Sequence, residues 1–139
     1  MKRVYFDNAA TTPLRPEVID RMTQIMRHHY GNPSSIHAEG REARAIIEEA
    51  RKTVAQAIGA SIGEIFFTSG GTESNNWALK SAVRDLGIRR IISSPTEHHC
   101  VLHTLEALQA HHGVEVVLLD VDAKGYVDYG QLERLLAGS

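Results

Sequence analysis

An α/β layer of parallel strands flanked by helices is the fold class this 139-residue sequence predicts. Two observations predict it. Short apolar runs of strand length alternate with longer stretches whose apolar residues recur at three and four. Glycines, Gly59, Gly87 and Gly113, stand at the ends of three of those longer stretches, where helices terminate.

The elements follow in order. Val4-Tyr5-Phe6 is a brief extended entry to the small-residue segment Asp7-Asn8-Ala9-Ala10-Thr11-Thr12-Pro13. Pro16 suits the first turn of a helix, where its missing N–H costs nothing. Val18, Ile19, Met22, Ile25 and Met26 then give one stripe, expected to be buried. The breaker cluster Gly31-Asn32-Pro33-Ser34-Ser35 should stop that helix near Tyr30. A second helix runs from about Glu39 to Ile58, closed by Gly59. Three runs, Ile65–Thr68, Ile91–Ser93 and Val114–Leu119, read as strands. Helices from Thr72 to Leu86 and from Val101 to His112 separate them. A last helix, Tyr129–Leu136, follows Asp128 as N-cap, with Gln131 placed for a capping box. Three strands make a small sheet, and parallel sheets need both faces covered, so the sequence reads as the front part of a larger domain.

Composition narrows the function classes. Lys and Arg number 15 against 17 Asp and Glu, a formal charge of −2, with no positive excess to bind nucleic acid. Cys100 is the only cysteine, which excludes an internal disulfide framework and fits a reducing compartment. No long apolar run follows the basic start and none is long enough to cross a bilayer. The expectation is a soluble, cytoplasmic protein without membrane partners.

Chemistry concentrates in two places. In Thr68-Ser-Gly-Gly-Thr-Glu73 a buried strand ends, two glycines follow and a helix opens. Free amides and the positive end of the helix dipole then point into the turn, which makes an anion site. Gly70 and Gly71 admit close backbone approach and Thr72 adds a hydroxyl. G-x-G-x-x-G is absent, and no Gly-Lys-Ser/Thr follows, so this is neither a dinucleotide fingerprint nor a P-loop. An ordinary strand–turn–helix corner is the alternative. The second place is Thr96-Glu-His-His-Cys-Val-Leu-His103, at the carboxyl end of a neighbouring strand, the edge where open α/β sheets bind ligands. One imidazole here is suited to stack on a planar ligand. The competing reading is metal: His99 and His103 share a helical face with Cys100 nearby, but a third ligand at sensible spacing is not evident. His28, His29, His111 and His112 read as surface residues. Asp7–Thr12 and Gly31–His37 are loops of small polar groups, suited to binding or to turn formation.

Taken together, Asp7-Asn-Ala-Ala-Thr-Thr-Pro13, Tyr30-Gly-Asn-Pro-Ser-Ser-Ile-His37, Phe67-Thr-Ser-Gly-Gly-Thr-Glu-Ser-Asn75 and Thr96-Glu-His-His99 resemble the N-terminal part of cysteine desulfurases. The likeness is to the iron–sulfur-cluster and nitrogenase-maturation branch of the fold-type I pyridoxal-phosphate enzymes, within the class V aminotransferases. The resemblance implies the start of a fold-type I large domain with an incomplete sheet. Residues 1–38 would form an arm, helix and active-site loop, and residues 39–139 the start of the cofactor-binding domain.

It also implies roles. Gly71 and Thr72 match positions that bind the phosphate of pyridoxal 5′-phosphate. His98 matches the catalytic residue stacked over the pyridine ring and implicated in proton transfer. Asn8, Ala9 and Thr11 belong to a segment bordering the substrate, with His37 a weaker candidate; no metal is implied. The implied activity converts L-cysteine to L-alanine and passes sulfur as a persulfide to an iron–sulfur scaffold protein. In the family, the Schiff-base lysine and the persulfide cysteine lie beyond the position of Ser139. Lys2, Lys52, Lys80 and Lys124 are poor substitutes, and Cys100 reads as structural or incidental. The expectation is a chain inactive alone, completed by a C-terminal half or a homodimer partner. A non-catalytic remnant or binding fragment, or another class V aminotransferase-like lyase, are the alternatives.

Overall fold

The structure, a computed structural model, describes residues 3–138. The chain divides between Phe66 and Phe67 into two compact units.

The first unit carries two helices. α1 spans Pro16–His28, with Pro in its first turn as the sequence predicts. Its apolar stripe is present but not buried: Val18, Ile19, Met22 and Met26 are all exposed. Periodicity showed that a stripe exists, and these residues do not supply what covers it. α2 spans Ala38–Ile58 and ends on Gly59, whose φ of 70° is the left-handed conformation that glycine adopts without strain. Arg51 of α2 donates from Nη1 to the Ile65 carbonyl. A single 3₁₀ turn, Ile62–Glu64, lies between them. The carboxylate of Glu64 accepts from the Ser61 amide and hydroxyl, each at 2.7 Å.

The second unit contains a parallel βαβ core. α3 spans Gly71–Arg84, β1 Arg90–Ser93, α4 His99–His112, β2 Glu115–Leu118 and α5 Tyr129–Ala137. β1 and β2 pair in parallel, with Arg90 opposite Glu115 and Ser93 opposite Leu118. Val83 from α3, Leu108 from α4 and Val114 form the buried cluster, with Leu79, Ile91 and Val116 packed against it. Each such side chain contributes about 1.5–3 kcal/mol by leaving water.

Two sequence expectations fail here. The segment 65–68 lies outside the two-stranded sheet, although Ile65 is extended (φ −99°, ψ 122°). A strand is defined by its ladder, and the described residues bring no neighbouring strand to this one. The capping box at α5 forms only half. The Asp128 side chain accepts from Gln131 N at 2.9 Å, but the Gln131 amide turns to Asp120 instead. Its Oε1 accepts from Asp120 N at 2.7 Å, which fastens the strand exit to the helix. Between them, Asp122 Oδ1 accepts from Lys124 N and Tyr126 N, closing a turn that contains the positive-φ Gly125.

Candidate active site

Two helix beginnings share one end of the second unit. Near the start of each helix, Asn75 Nδ2 donates to Cys100 Sγ at 3.4 Å. Toward their other ends, Lys80, Val83 and Arg84 line one groove with Ala107, Leu108 and His111. α3 and α4 therefore run side by side in the same direction. Their positive dipole ends lie together, at the end where β1 delivers its carboxyl terminus.

At the start of α3, the helix ladder begins with Ser74 N donating to Gly70 O at 3.1 Å. The amides of Gly71, Thr72 and Glu73 precede it and have no acceptor within the helix. Glu73 does not consume them. Its carboxylate reaches back to Ser69, accepting from the amide at 2.6 Å and the hydroxyl at 2.8 Å. Those two bonds, the amide first, hold the Glu73 carboxyl below its ordinary range. Thr68 Oγ1 and Ser74 Oγ, 2.7 Å apart, brace the turn from its other side.

A Cβ built at Gly70 or Gly71 would meet nothing within 4 Å. No internal packing demands glycine at either position, so their small size leaves open room beside the free amides. That room, three free amides and the Thr72 hydroxyl fit a phosphate group.

At the start of α4, His98 is the N-cap, one residue ahead of His99. Its Nδ1 accepts from Cys100 N at 3.1 Å. The helix thus opens two residues ahead of Val101, because the His98 side chain supplies the cap. His99 and His103 stack, with ring centroids 5.8 Å apart and planes at 28°. Among the described residues, no group of three or more His, Cys, Asp or Glu is arranged to hold a metal ion.

A groove of about 270 Å³ runs between the helices, lined by Thr72, Asn76, Lys80, Cys100, His103 and Thr104. Lys80 thus shares a groove with Thr72, but it sits eight residues farther along α3, roughly 12 Å by helical rise. Lys52 is mid-α2, Lys124 is in the Asp122 turn, and Lys2 lies outside the described residues.

Gly71, Thr72 and His98 belong to the second unit; Asn8, Ala9 and Thr11 belong to the first. Asn8 and Ala9 form an exposed turn closed by Ala10 N and Thr11 N donating to Asp7 O, and Thr11 Oγ1 lies 2.5 Å from the Tyr5 hydroxyl. The loop 31–36 is a packing device. A Cβ on Gly31 would lie 2.1 Å from Glu39 O, and one on Gly40 would lie 2.4 Å from Ser35 O. His37 caps α2, its Nδ1 lying 2.9 Å from Glu39 Oε2 and 3.4 Å from Gly40 N. Sequence reasoning missed Asn75, whose partner is 25 residues away.

An aminotransferase class-V family model matches residues 4–139. The chain belongs to that family. This class-V chain is 52% identical over 142 residues to the cysteine desulfurase IscS of Dictyoglomus turgidum, across 98% of this chain and 35% of that protein. It is 45% identical over 139 residues to the cysteine desulfurase of Homo sapiens, covering 98% of this chain and 30% of the relative. Among solved structures, a NifS-like protein superposes with a TM-score of 0.88 at 44% identity, over 96% of this chain and 37% of that one. SspA in complex with cysteine superposes at 0.84 with 36% identity, over 94% and 38%. The class-V chain is thus a homologue of IscS/NifS cysteine desulfurases and corresponds to their N-terminal portion. It spans about a third of the length of the curated relatives it matches. Its helices and small parallel open sheet match the N-terminal part of that fold. No helix among the described residues is long and apolar enough to cross a membrane.

Proposed function

We propose that this chain forms the phosphate-holding and ring-facing part of a pyridoxal 5′-phosphate-dependent cysteine desulfurase. The observation that carries the proposal is the pairing of two helix beginnings, one with free amides beside open space, the other capped by an imidazole. Gly71 and Thr72 hold the phosphate through their amides and the Thr72 hydroxyl. Glu73 keeps the turn folded by binding Ser69. His98 faces the ring and moves a proton at Nε2, because Nδ1 is engaged by the helix. When bound, the cofactor supplies an electron sink for bond cleavage at the substrate. Asn8, Ala9 and Thr11 keep the substrate-proximal role the resemblance gives them.

The substrate of the whole enzyme is L-cysteine, its product L-alanine, and its sulfur acceptor an iron–sulfur scaffold protein in the cytoplasm. The lysine that carries the cofactor and the thiol that receives sulfur are other residues, from the C-terminal part of the enzyme or a homodimer partner.

Titrating the protein with pyridoxal 5′-phosphate, followed by cofactor absorbance and competed with inorganic phosphate, tests this reading. Thr72→Val removes one hydrogen bond to a charged group, worth about 1.5–3 kcal/mol, so affinity should fall about 10- to 100-fold. Unfolding should be unchanged. Wild-type affinity in Thr72→Val, or no competition by phosphate, refutes the assignment. Cofactor binding by the complete enzyme without alanine and sulfide release from L-cysteine moves the reading to a non-catalytic binding protein, and turnover of a different amino acid to another class-V lyase.

A further inference from the structure

We propose that Cys100 and Asn75 are positioning residues that fix the tautomer and placement of the His98 ring. The inference rests on the reading of His98 as the ring-facing group. His98 Nδ1 accepts the Cys100 amide at 3.1 Å. A ring nitrogen that accepts an N–H carries its lone pair there and no proton, so the neutral imidazole carries its proton on Nε2. The Cys100 amide is one of the first-turn donors that the helix itself cannot satisfy. Ser, Thr, Asp and Asn are the favoured residues for this capping task, and none of them offers a second titratable nitrogen. A histidine here caps the helix with one nitrogen and leaves the other as a defined donor.

The side chain of Cys100 extends the arrangement. Its half-buried sulfur accepts from Asn75 Nδ2 at 3.4 Å. Asn75 stands three residues past Thr72, on the first turns of α3. Asn75 and Cys100 therefore tie the helix start that bears the amide cradle to the helix start that bears the imidazole. His99 and His103 stack on each other and neither makes a hydrogen bond to a backbone amide among the described residues, so they serve as internal references.

Long-range ¹H–¹⁵N spectra of the imidazoles in the ¹⁵N-labelled protein, above the range where histidine protonates, read the tautomer directly. His98 should show a pyridine-like Nδ1 and a pyrrole-like Nε2, while His99 and His103 show averaged values. Cys100→Pro deletes the amide at a first-turn position that accepts proline, and should average the His98 signals. Cys100→Ala keeps the amide and should keep the tautomer. Asn75→Leu should also keep it, but should speed hydrogen exchange of the Cys100 amide about 2- to 10-fold, as expected for one lost neutral hydrogen bond. An averaged or Nδ1-protonated His98 in the wild type overturns the inference, and that spectrum decides even if Cys100→Pro fails to fold. An unchanged exchange rate in Asn75→Leu overturns the role of Asn75. A fixed His98 tautomer in a protein that does not bind pyridoxal 5′-phosphate supports this inference and refutes the cofactor reading. Cofactor binding with an averaged His98 does the reverse.

Discussion

Gly40→Ala sets two effects against each other, and the structure says which wins. Gly40 is the third residue of α2, where alanine is favoured over glycine by about 0.8–1.0 kcal/mol on helix propensity alone. Yet the added Cβ would stand 2.4 Å from Ser35 O and 2.7 Å from Asn32 O. Carbon–oxygen contacts settle at about 3.3–3.6 Å, so the loop must retreat by roughly 1 Å. Both obstacles are backbone carbonyls, and Asn32 O already accepts Ser35 N at 2.9 Å. Overpacking of this kind costs about 1–3 kcal/mol, and a weakened loop hydrogen bond about 0.5–1.5 more. After the propensity gain, the variant should be less stable by about 1–3 kcal/mol. For a unit of this size the midpoint of thermal unfolding should fall by several degrees to about 20 °C. Calorimetry reads this, with Gly63→Ala as control, since a Cβ there meets nothing within 4 Å. Gly63→Ala should match the wild type within about 0.5 kcal/mol. A Gly40→Ala protein as stable as wild type would show that the 31–36 loop is not seated against α2.

Leu105, 2% exposed, should cost about 2–5 kcal/mol when truncated to alanine, read as a lowered urea midpoint; a loss under about 1 kcal/mol would contradict its place in the core. Glu73→Gln tests the turn before α3 through pH. The Glu73 carboxyl is held below its ordinary 4.5 in the folded state, first by the Ser69 amide and then by its hydroxyl. Its stabilising effect is therefore full above the unfolded value and is lost as pH falls through the lower folded value. Wild type should unfold at a higher temperature than Glu73→Gln at neutral pH, with the gap narrowing in acid below 4.5. A gap that stays constant through that range would mean the carboxylate is not the group responsible.

Local features were legible and non-local ones were not. Gly59 and Gly113 cap α2 and α4 at φ of 70° and 64°, as their position after an apolar pattern implies. The parallel β1–α4–β2 unit also follows from pattern, since β1 and β2 bracket one helical stretch. The free amides of Gly71 and Thr72 were readable because a helix beginning is set by adjacent residues. The segment 65–68 has strand composition but no ladder, because pairing depends on a neighbour that its own composition cannot reveal. Gln131 departs from the capping box for a similar reason: its amide bonds Asp120, eleven residues back, and not its own cap. Asn75 and Cys100 meet only because two helices lie alongside each other. No spacing rule within one helix announces that contact.

The amides of the first turn of α3 carry a further consequence. Peptide dipoles have no proton to gain or lose, so a holder built from Gly71, Thr72 and Glu73 backbone keeps the same polarity in mild acid as in mild alkali. A histidine clamp would change its own charge across that span. Any acidity dependence in how firmly an anion sits there should therefore track the guest's second ionisation, about 6 for a phosphate monoester, and not that of the backbone amides.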